Sequence, residues 1–240
     1  MTARPRGLVV AIDGPSGAGK STAGRGLAAR LGYTYVDTGA MYRALTLKAL
    51  RAGVPVDAEE VLGELARETR IELEEGGQRV LLDGADVTAD IRTREVTTAS
   101  SRVSRHPGVR RDMVERQRRL GAAGGVVLDG RDIGTAVFPD AEVKFYLDAD
   151  PARRARRRQA ELRAAGSEVV LHELEREIRS RDAADSTRPD SPLTRAADAV
   201  LVDTTDLTPA EVVERLASLV ESRQRSQPGS FTRPRDPPSE

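Results

Sequence analysis

Gly14-Pro15-Ser16-Gly17-Ala18-Gly19-Lys20-Ser21-Thr22 is the stretch from which the fold is read, and from Gly14 to Ser21 it fits the pattern G-x-x-x-x-G-K-[ST]. It follows the apolar run Leu8-Val9-Val10-Ala11-Ile12-Asp13, which predicts a strand, and precedes a stretch with helical apolar spacing. In a strand–loop–helix of this kind the glycines let successive backbone N–H groups turn inward to make an anion-binding hollow. The helix N-terminus adds its positive dipole end. The lysine reaches the β- and γ-phosphates of a triphosphate, and the hydroxyl after it can hold Mg²⁺. The loop is therefore expected to bind a nucleoside triphosphate, with Lys20 on the phosphates and Ser21 on the metal.

The 240 residues can bury a good core as one domain with insertions. Lysine plus arginine equals aspartate plus glutamate at 38 each, so no global field draws the chain to nucleic acid or membrane. Only Lys20, Lys48 and Lys144 are lysines; a composition that otherwise prefers arginine keeps lysine in the phosphate loop, where a compact point charge suits the site. The absence of cysteine excludes disulfides, thiolate metal sites and a cysteine nucleophile. His106 and His172 lie far apart in sequence, so no histidine triad or zinc site is expected. The basic start Met1 to Arg6 leads only into the short strand, unlike a signal peptide, and no apolar run approaches the roughly 20 residues needed to span a bilayer. A cytoplasmic protein is expected.

Outward from the loop, residues Lys20 to Leu31 read as a helix ended by Gly32, and Tyr33 to Asp37 as a second strand. Thr38-Gly39-Ala40 is expected to turn the chain into a helix with Met41, Ala44, Leu45 and Leu47 inward. Asp57 with Glu60 has the spacing of a capping box. Ile71-Glu72-Leu73 and Val80-Leu81-Leu82 then predict a hairpin around Glu74-Glu75-Gly76-Gly77, with Asp83-Gly84 as a second tight turn. Antiparallel hairpins do not belong inside a parallel sheet, so 53–105 reads as an inserted small domain between 1–52 and 106–221. Helical patterns resume from Glu95 and from Val109 to Leu120. Strands follow at 126–129 and 143–148, the second running into Asp150-Pro151, an N-cap and first-turn proline. A helix bearing Arg153, Arg154, Arg156, Arg157 and Arg158 comes next, then one from about Glu168 to Asp182 with Leu171, Leu174 and Ile178 as its seam. The last strand, 199–203, precedes a capping box at Thr208-Pro209-Ala210-Glu211 and a helix burying Val212, Val213, Leu216, Leu219 and Val220. Residues 222–240, holding four of the 13 prolines, read as a disordered tail. The fold class is thus α/β: a five-stranded parallel sheet flanked by helices, with ligands beyond the carboxyl ends of its strands.

A phosphate loop alone leaves switch, motor, transporter subunit and kinase open. The chain has no asparagine, so the N-K-x-D guanine-reading motif of GTPase switches is excluded. Arg43, Arg131, Arg181 and Arg188 stand at strand ends and in turns, with the run 153–158 besides. Transfer between a triphosphate and a monophosphate brings two anionic groups together, and arginine clamps supply the positioning and neutralisation it needs.

The phosphate loop, Asp37-Thr38-Gly39-Ala40-Met41-Tyr42-Arg43, Asp129-Gly130-Arg131-Asp132, and Arg181-Asp182 through Arg188 together resemble bacterial cytidylate kinases, over about Leu8 to Val220. The resemblance implies a P-loop kinase core, an insertion that binds the monophosphate and a helical lid over about 150–188. It implies ATP as phosphate donor with Mg²⁺, CMP and dCMP as acceptors, and a monomer in pyrimidine nucleotide metabolism. The monophosphate is then held by Arg43, Arg131 and Arg188, with Thr38 and Tyr42 in the same pocket. The base is read by Ser101, Arg110 and Asp132, and the sugar is met by Arg181 and Asp185. Arg157 is the candidate lid arginine beside Lys20. Thr38 stands where many members have serine, and Ser21 where many have glycine. Two rivals remain: a kinase of another acceptor, and a nucleotide-switched module holding RNA through the arginine helix or the tail.

Overall fold

The computed structural model describes Arg4, residues 6–164 and residues 166–225. Its centre is β1 (Val9–Asp13), every residue of which is buried. In β1, alternate side chains feed two cores, as the period of a strand requires. Val9 and Ala11 meet Met41, Leu45 and Met113 on one face, while Val10 and Ile12 meet Leu27, Leu216 and Val220 on the other. With β2 (Thr34–Asp37), β6 (Val126–Asp129), β7 (Val143–Asp148) and β8 (Val200–Asp203), β1 forms an all-parallel sheet in the order β2-β6-β1-β7-β8. One core is covered by α1 (Lys20–Leu31) and α8 (Pro209–Arg225). The other is covered by α2 (Thr38–Arg51), α3 (Glu59–Glu68) and α5 (Pro107–Gly121).

All five parallel strands end in aspartate: Asp13, Asp37, Asp129, Asp148 and Asp203. Such a carboxylate can accept from the backbone that turns away beyond the sheet. Asp13 does this for the N–H groups of Ile133 and Gly134, both at 2.8 Å, which fixes a single π turn at Ile133–Val137. Asp37 caps α2 through the Ala40 N–H at 2.8 Å. Thr38 to Ala40 are therefore the first turn of that helix rather than a turn before it.

The hairpin predicted in the insertion is present as β3 (Ile71–Glu74) and β4 (Arg79–Leu82), joined by a 3-10 turn at Glu75–Gly77 and extended by β5 (Ala85–Asp86). Val80, Leu82, Val87 and Ile91 pack with Val96 of α4 (Arg94–Val103) against Ala40, Ala44 and Leu47 of α2. Within 53–105, α3 differs: Leu62 and Ala66 belong to the sheet core. The lid region is a helical hairpin, α6 (Pro151–Ala164) and α7 (Leu171–Thr187), closed by Ala155, Leu162, Leu174 and Ile178. Asp150 caps α6 through the N–H groups of Ala152 and Arg153.

Four local expectations change. α3 starts at Glu59 without a side-chain cap, because Asp57 pairs with Arg102 instead. α7 starts at Leu171 and runs on to Thr187, which puts Asp185 on the helix. α8 continues to Arg225, past the expected stop at 222, while the rest of the expected tail, 226–240, lies outside the described residues. On α8, Leu219 is exposed and Val213 half-buried, for the inward stripe is Val212, Leu216, Ala217 and Val220. Among the described residues no helix is long and apolar enough to cross a membrane.

The capping box on α8 is formed: the Glu211 carboxylate accepts from the Thr208 N–H at 2.8 Å, and Thr208 Oγ1 accepts from the Glu211 N–H at 3.3 Å. Thr208→Ala should lower stability by about 1 kcal/mol. Urea denaturation would register this as a lower midpoint with an unchanged slope.

Candidate active site

The phosphate loop leaves the carboxyl end of β1 through Gly14, whose φ is +145°; a Cβ there would fall 2.0 Å from the Leu147 carbonyl oxygen. The loop ends at Gly19, the left-handed N-cap of α1, which offers no side chain to the helix's first N–H groups. Those donors are left for an anion. Lys20 is buried and donates from Nζ to the Pro15 carbonyl at 2.6 Å. Burial, with the Arg131 charge next in effect, pushes its pKa down to about 7. The Ser21 hydroxyl donates to Asp129 Oδ2 at 2.8 Å, and the Tyr35 hydroxyl donates to Asp129 Oδ1 at 2.9 Å. Burial and the neighbouring Asp37 charge raise the Asp129 carboxyl to about 6.

The α6–α7 hairpin is anchored to the outer turn of this loop. Asp182 Oδ1 accepts the Ser16 N–H at 3.3 Å, and Arg154 pairs with Asp182 while donating to the Ser16 carbonyl at 3.0 Å. That tie aims the adjacent Arg181 into the cleft, where burial and the Arg131 charge lower its pKa to about 10.

The other wall is built by arginines on short tethers. Arg43 donates to Asp37 at 3.1 Å and Arg131 to Asp185 at 2.8 Å. Burial alone would raise the Asp185 carboxyl, but Arg131 and Arg181 outweigh it and hold it low. Arg110 pairs with Asp132 and lies 6.0 Å from the centroid of the Tyr42 ring. Arg188 donates to the Ser191 carbonyl at 2.6 Å and stands 3.5 Å from Asp132. Thr38 Oγ1 donates to the Asp129 carbonyl at 2.7 Å. Arg43 Nε, Arg110 Nε, Arg181 Nε and Arg188 Nη2 are buried with no hydrogen-bond partner. Such donors cost about 1–3 kcal/mol each unless something accepts from them.

Both walls face one cleft of about 600 Å³. Nine cationic and five acidic side chains line it, a surplus of four positive charges in a chain of zero net charge. Of the expected residues, Ser16, Gly17, Gly19, Lys20, Ser21, Thr22, Thr38, Tyr42, Arg43, Arg110, Arg131, Asp132, Arg181, Asp185 and Arg188 line it. Gly14, Pro15 and Ala18 shape the loop from behind. Ser101 is not on the lining, because the cleft takes the face of α4 that carries Ser100 and, four residues on, Ser104. Arg157 is turned away: it donates to Thr204 Oγ1 at 3.1 Å and to the Thr204 carbonyl, while the next residue, Arg158, lines the cleft. Reading the sequence alone passed over Asp37, Arg25, Arg92 and Thr97 as lining residues, and the tie of Asp129 to Ser21. The two aspartates were signalled by their strand-end position and by the motifs Asp37 to Arg43 and Asp129 to Asp132.

A phosphate loop at the carboxyl end of the central strand of a parallel sheet flanked by helices, sharing its cleft with a wall of arginines, is the arrangement of the P-loop kinase fold. A family model described as Cytidylate kinase matches residues 10–222, and the chain belongs to that family. It is 53% identical over 220 residues to the cytidylate kinase of Geobacillus kaustophilus, covering 91% of this chain and 98% of that protein. It is 50% identical over 222 residues to that of Syntrophotalea carbinolica, covering 92% and 94%. Among solved structures, a shikimate kinase from Bacteroides thetaiotaomicron aligns with a TM-score of 0.48 at 16% identity, over 89% of this chain and 98% of that one.

With its pKa near 7, Lys20 is only partly charged at pH 7.5, and phosphates beside it favour its charged form. ATP binding at that pH should therefore take up a fraction of a proton, and affinity should fall as pH rises above about 7. Calorimetry in two buffers of different ionisation enthalpy measures the uptake. Lys20→Arg, charged throughout this range, should abolish it.

Proposed function

We propose that the chain transfers the γ-phosphoryl group of ATP to CMP and dCMP, giving ADP with CDP or dCDP, by direct in-line displacement with no covalent enzyme intermediate. The observation that carries this reading is the set of arginines lining one cleft with the phosphate loop, four of which keep a buried nitrogen without a hydrogen bond. Two polyanions must meet there, and donors already in place cost no reorganisation when charge shifts between them.

Lys20 neutralises the donor phosphates, with the loop N–H groups beneath them. Arg43, Arg131 and Arg188 fix the acceptor phosphate, and Arg181 with Asp185 meets the sugar. Asp132 beside Arg110 sets an acceptor next to a donor, which matches the N4 amino group and N3 of cytosine. Uracil reverses both groups. Ser100 and Ser104 join this end of the cleft.

The donor set at Ser21 and Asp129, a hydroxyl and a carboxylate 2.8 Å apart, fits Mg²⁺. Among the described residues no group of three or more histidines, cysteines or carboxylates could hold a metal ion. A small dication that keeps waters and leans on substrate phosphates suits such a site. Ser21 and Asp129 would hold the ion, which would supply positive charge to offset that of the transferring phosphates. The lid arginine is Arg158, which lines the cleft, rather than Arg157. We take the protein to act as a monomer and assign it to the cytoplasm, where nucleotides are made.

In a steady-state assay CMP and dCMP should far outperform UMP and AMP, and a preference for AMP or UMP would overturn the base-pocket reading. Asp132→Asn should narrow the CMP-to-UMP ratio by about tenfold or more, as a mismatched buried polar contact implies. Arg158→Ala should lower kcat by about 100-fold. Arg157→Ala should mainly lower thermal stability by freeing α6 from the turn after β8.

A further inference from the structure

Tyr35 lies outside the cleft lining, yet it connects the donor side to the insertion. Its ring is 2% exposed and is held between two glycines. A Cβ on Gly24 of α1 would come within 2.8 Å of ring atom Cε2. A Cβ on Gly77, at the tip of the β3–β4 hairpin, would come within 2.8 Å of Cδ1 on the ring and 3.2 Å of the Tyr35 carbonyl oxygen. Gly77 has φ +80°, so glycine there serves both the turn and the close approach. The Arg25 guanidinium lies 5.7 Å from the ring centroid. The hydroxyl takes Asp129 Oδ1, which leaves Oδ2 aimed at Ser21.

We propose that Tyr35 is a positioning residue: its ring is the seat of the insertion's hairpin, and its hydroxyl sets the Asp129 carboxylate against Ser21. The insertion and the Mg²⁺-nucleotide site are thereby coupled through one side chain. The inference rests on the reading of Ser21 and Asp129 as the Mg²⁺ site. Asp129 sits on β6, and two hydrogen bonds fix its carboxylate plane. Removing one of them frees the carboxylate to rotate, and a small octahedral ion tolerates little misplacement.

The test uses the full chain with ADP and Mn²⁺, free Mn²⁺ being followed by electron paramagnetic resonance. Tyr35→Phe keeps the ring and the hairpin seat and removes only the hydroxyl. It should weaken ADP-supported Mn²⁺ binding about tenfold, the loss expected for one hydrogen bond to a charged group. It should raise the Mg²⁺ needed for half-maximal activity to match, with the KM for CMP unchanged. Hydrogen exchange reads the coupling: ADP with Mg²⁺ should slow exchange at 75–78 in the wild type, and less so in Tyr35→Phe. Lower thermal stability with unchanged Mn²⁺ binding would make Tyr35 merely structural and overturn the proposal; equal protection of 75–78 in both proteins would overturn the coupling. Asp129→Asn separates the two levels. If it leaves Mn²⁺ binding unchanged, the metal-site reading has failed; if it weakens binding while Tyr35→Phe does not, only the positioning role has.

Discussion

Like charges crowd the cleft. Lys20, Arg131 and Arg181 stand close enough that the Arg131 charge helps hold the proton affinities of the other two down. Left to themselves, such groups would swing into solvent and leave a substrate to gather them at an entropic cost. Short contacts hold them instead: Lys20 on the Pro15 carbonyl, Arg131 on Asp185 and the Gly130 carbonyl, Arg43 on Asp37, and Arg110 on Asp132 and the Ser104 carbonyl. Along the arginine wall, Nε of Arg43, Arg110 and Arg181 and Nη2 of Arg188 stay buried without a hydrogen bond. Fixed donors with unmet demand make a site complementary to phosphate before phosphate arrives.

Holding those tethers is the work of the rest of the fold. One strand-end aspartate acts twice, as a cap for the turning backbone and as a counter-charge. Asp37 caps α2 and holds Arg43 one and a half turns along the same helix. Asp185 needs α7 to extend past Asp182, since a helix stopping earlier would not carry it to Arg131. The Arg154–Asp182 pair then ties that helix to the Ser16 backbone, so that loop and lid keep one relative position.

Much of this is legible in the chain. The five strands, the hairpin and the caps at Asp150 and Thr208 follow from period and local hydrogen bonding, whose partners lie within a few residues. What the sequence does not reveal depends on angle and distance. Ser101 and Ser100 are equivalent in composition, and only the 100° step of a helix decides that Ser100 and Ser104 face the cleft. Arg157 and Arg158 differ by the same step within a run of arginines, so their exchange of roles is a matter of how α6 docks on the turn after β8. Tyr35 reads as one apolar position in a buried strand; its hydroxyl acquires a role through a register pairing of β2 with β6 that no local pattern encodes.

The geometry of transfer comes down to Asp129-Gly130-Arg131-Asp132. The Asp129 carboxylate faces the phosphate loop through Ser21, and its carbonyl holds Thr38. Two residues later Arg131 turns to Asp185, and Asp132 meets Arg110. One four-residue turn thus spans both halves of the cleft, and fully extended it could reach only about 13–14 Å. The distance between the contacts to Ser21 and to Arg110 is therefore limited by covalent geometry, with packing left to orient them. In-line transfer is sensitive to misplacements of about 1 Å. A bonded ruler meets that demand better than two surfaces on separately mobile elements.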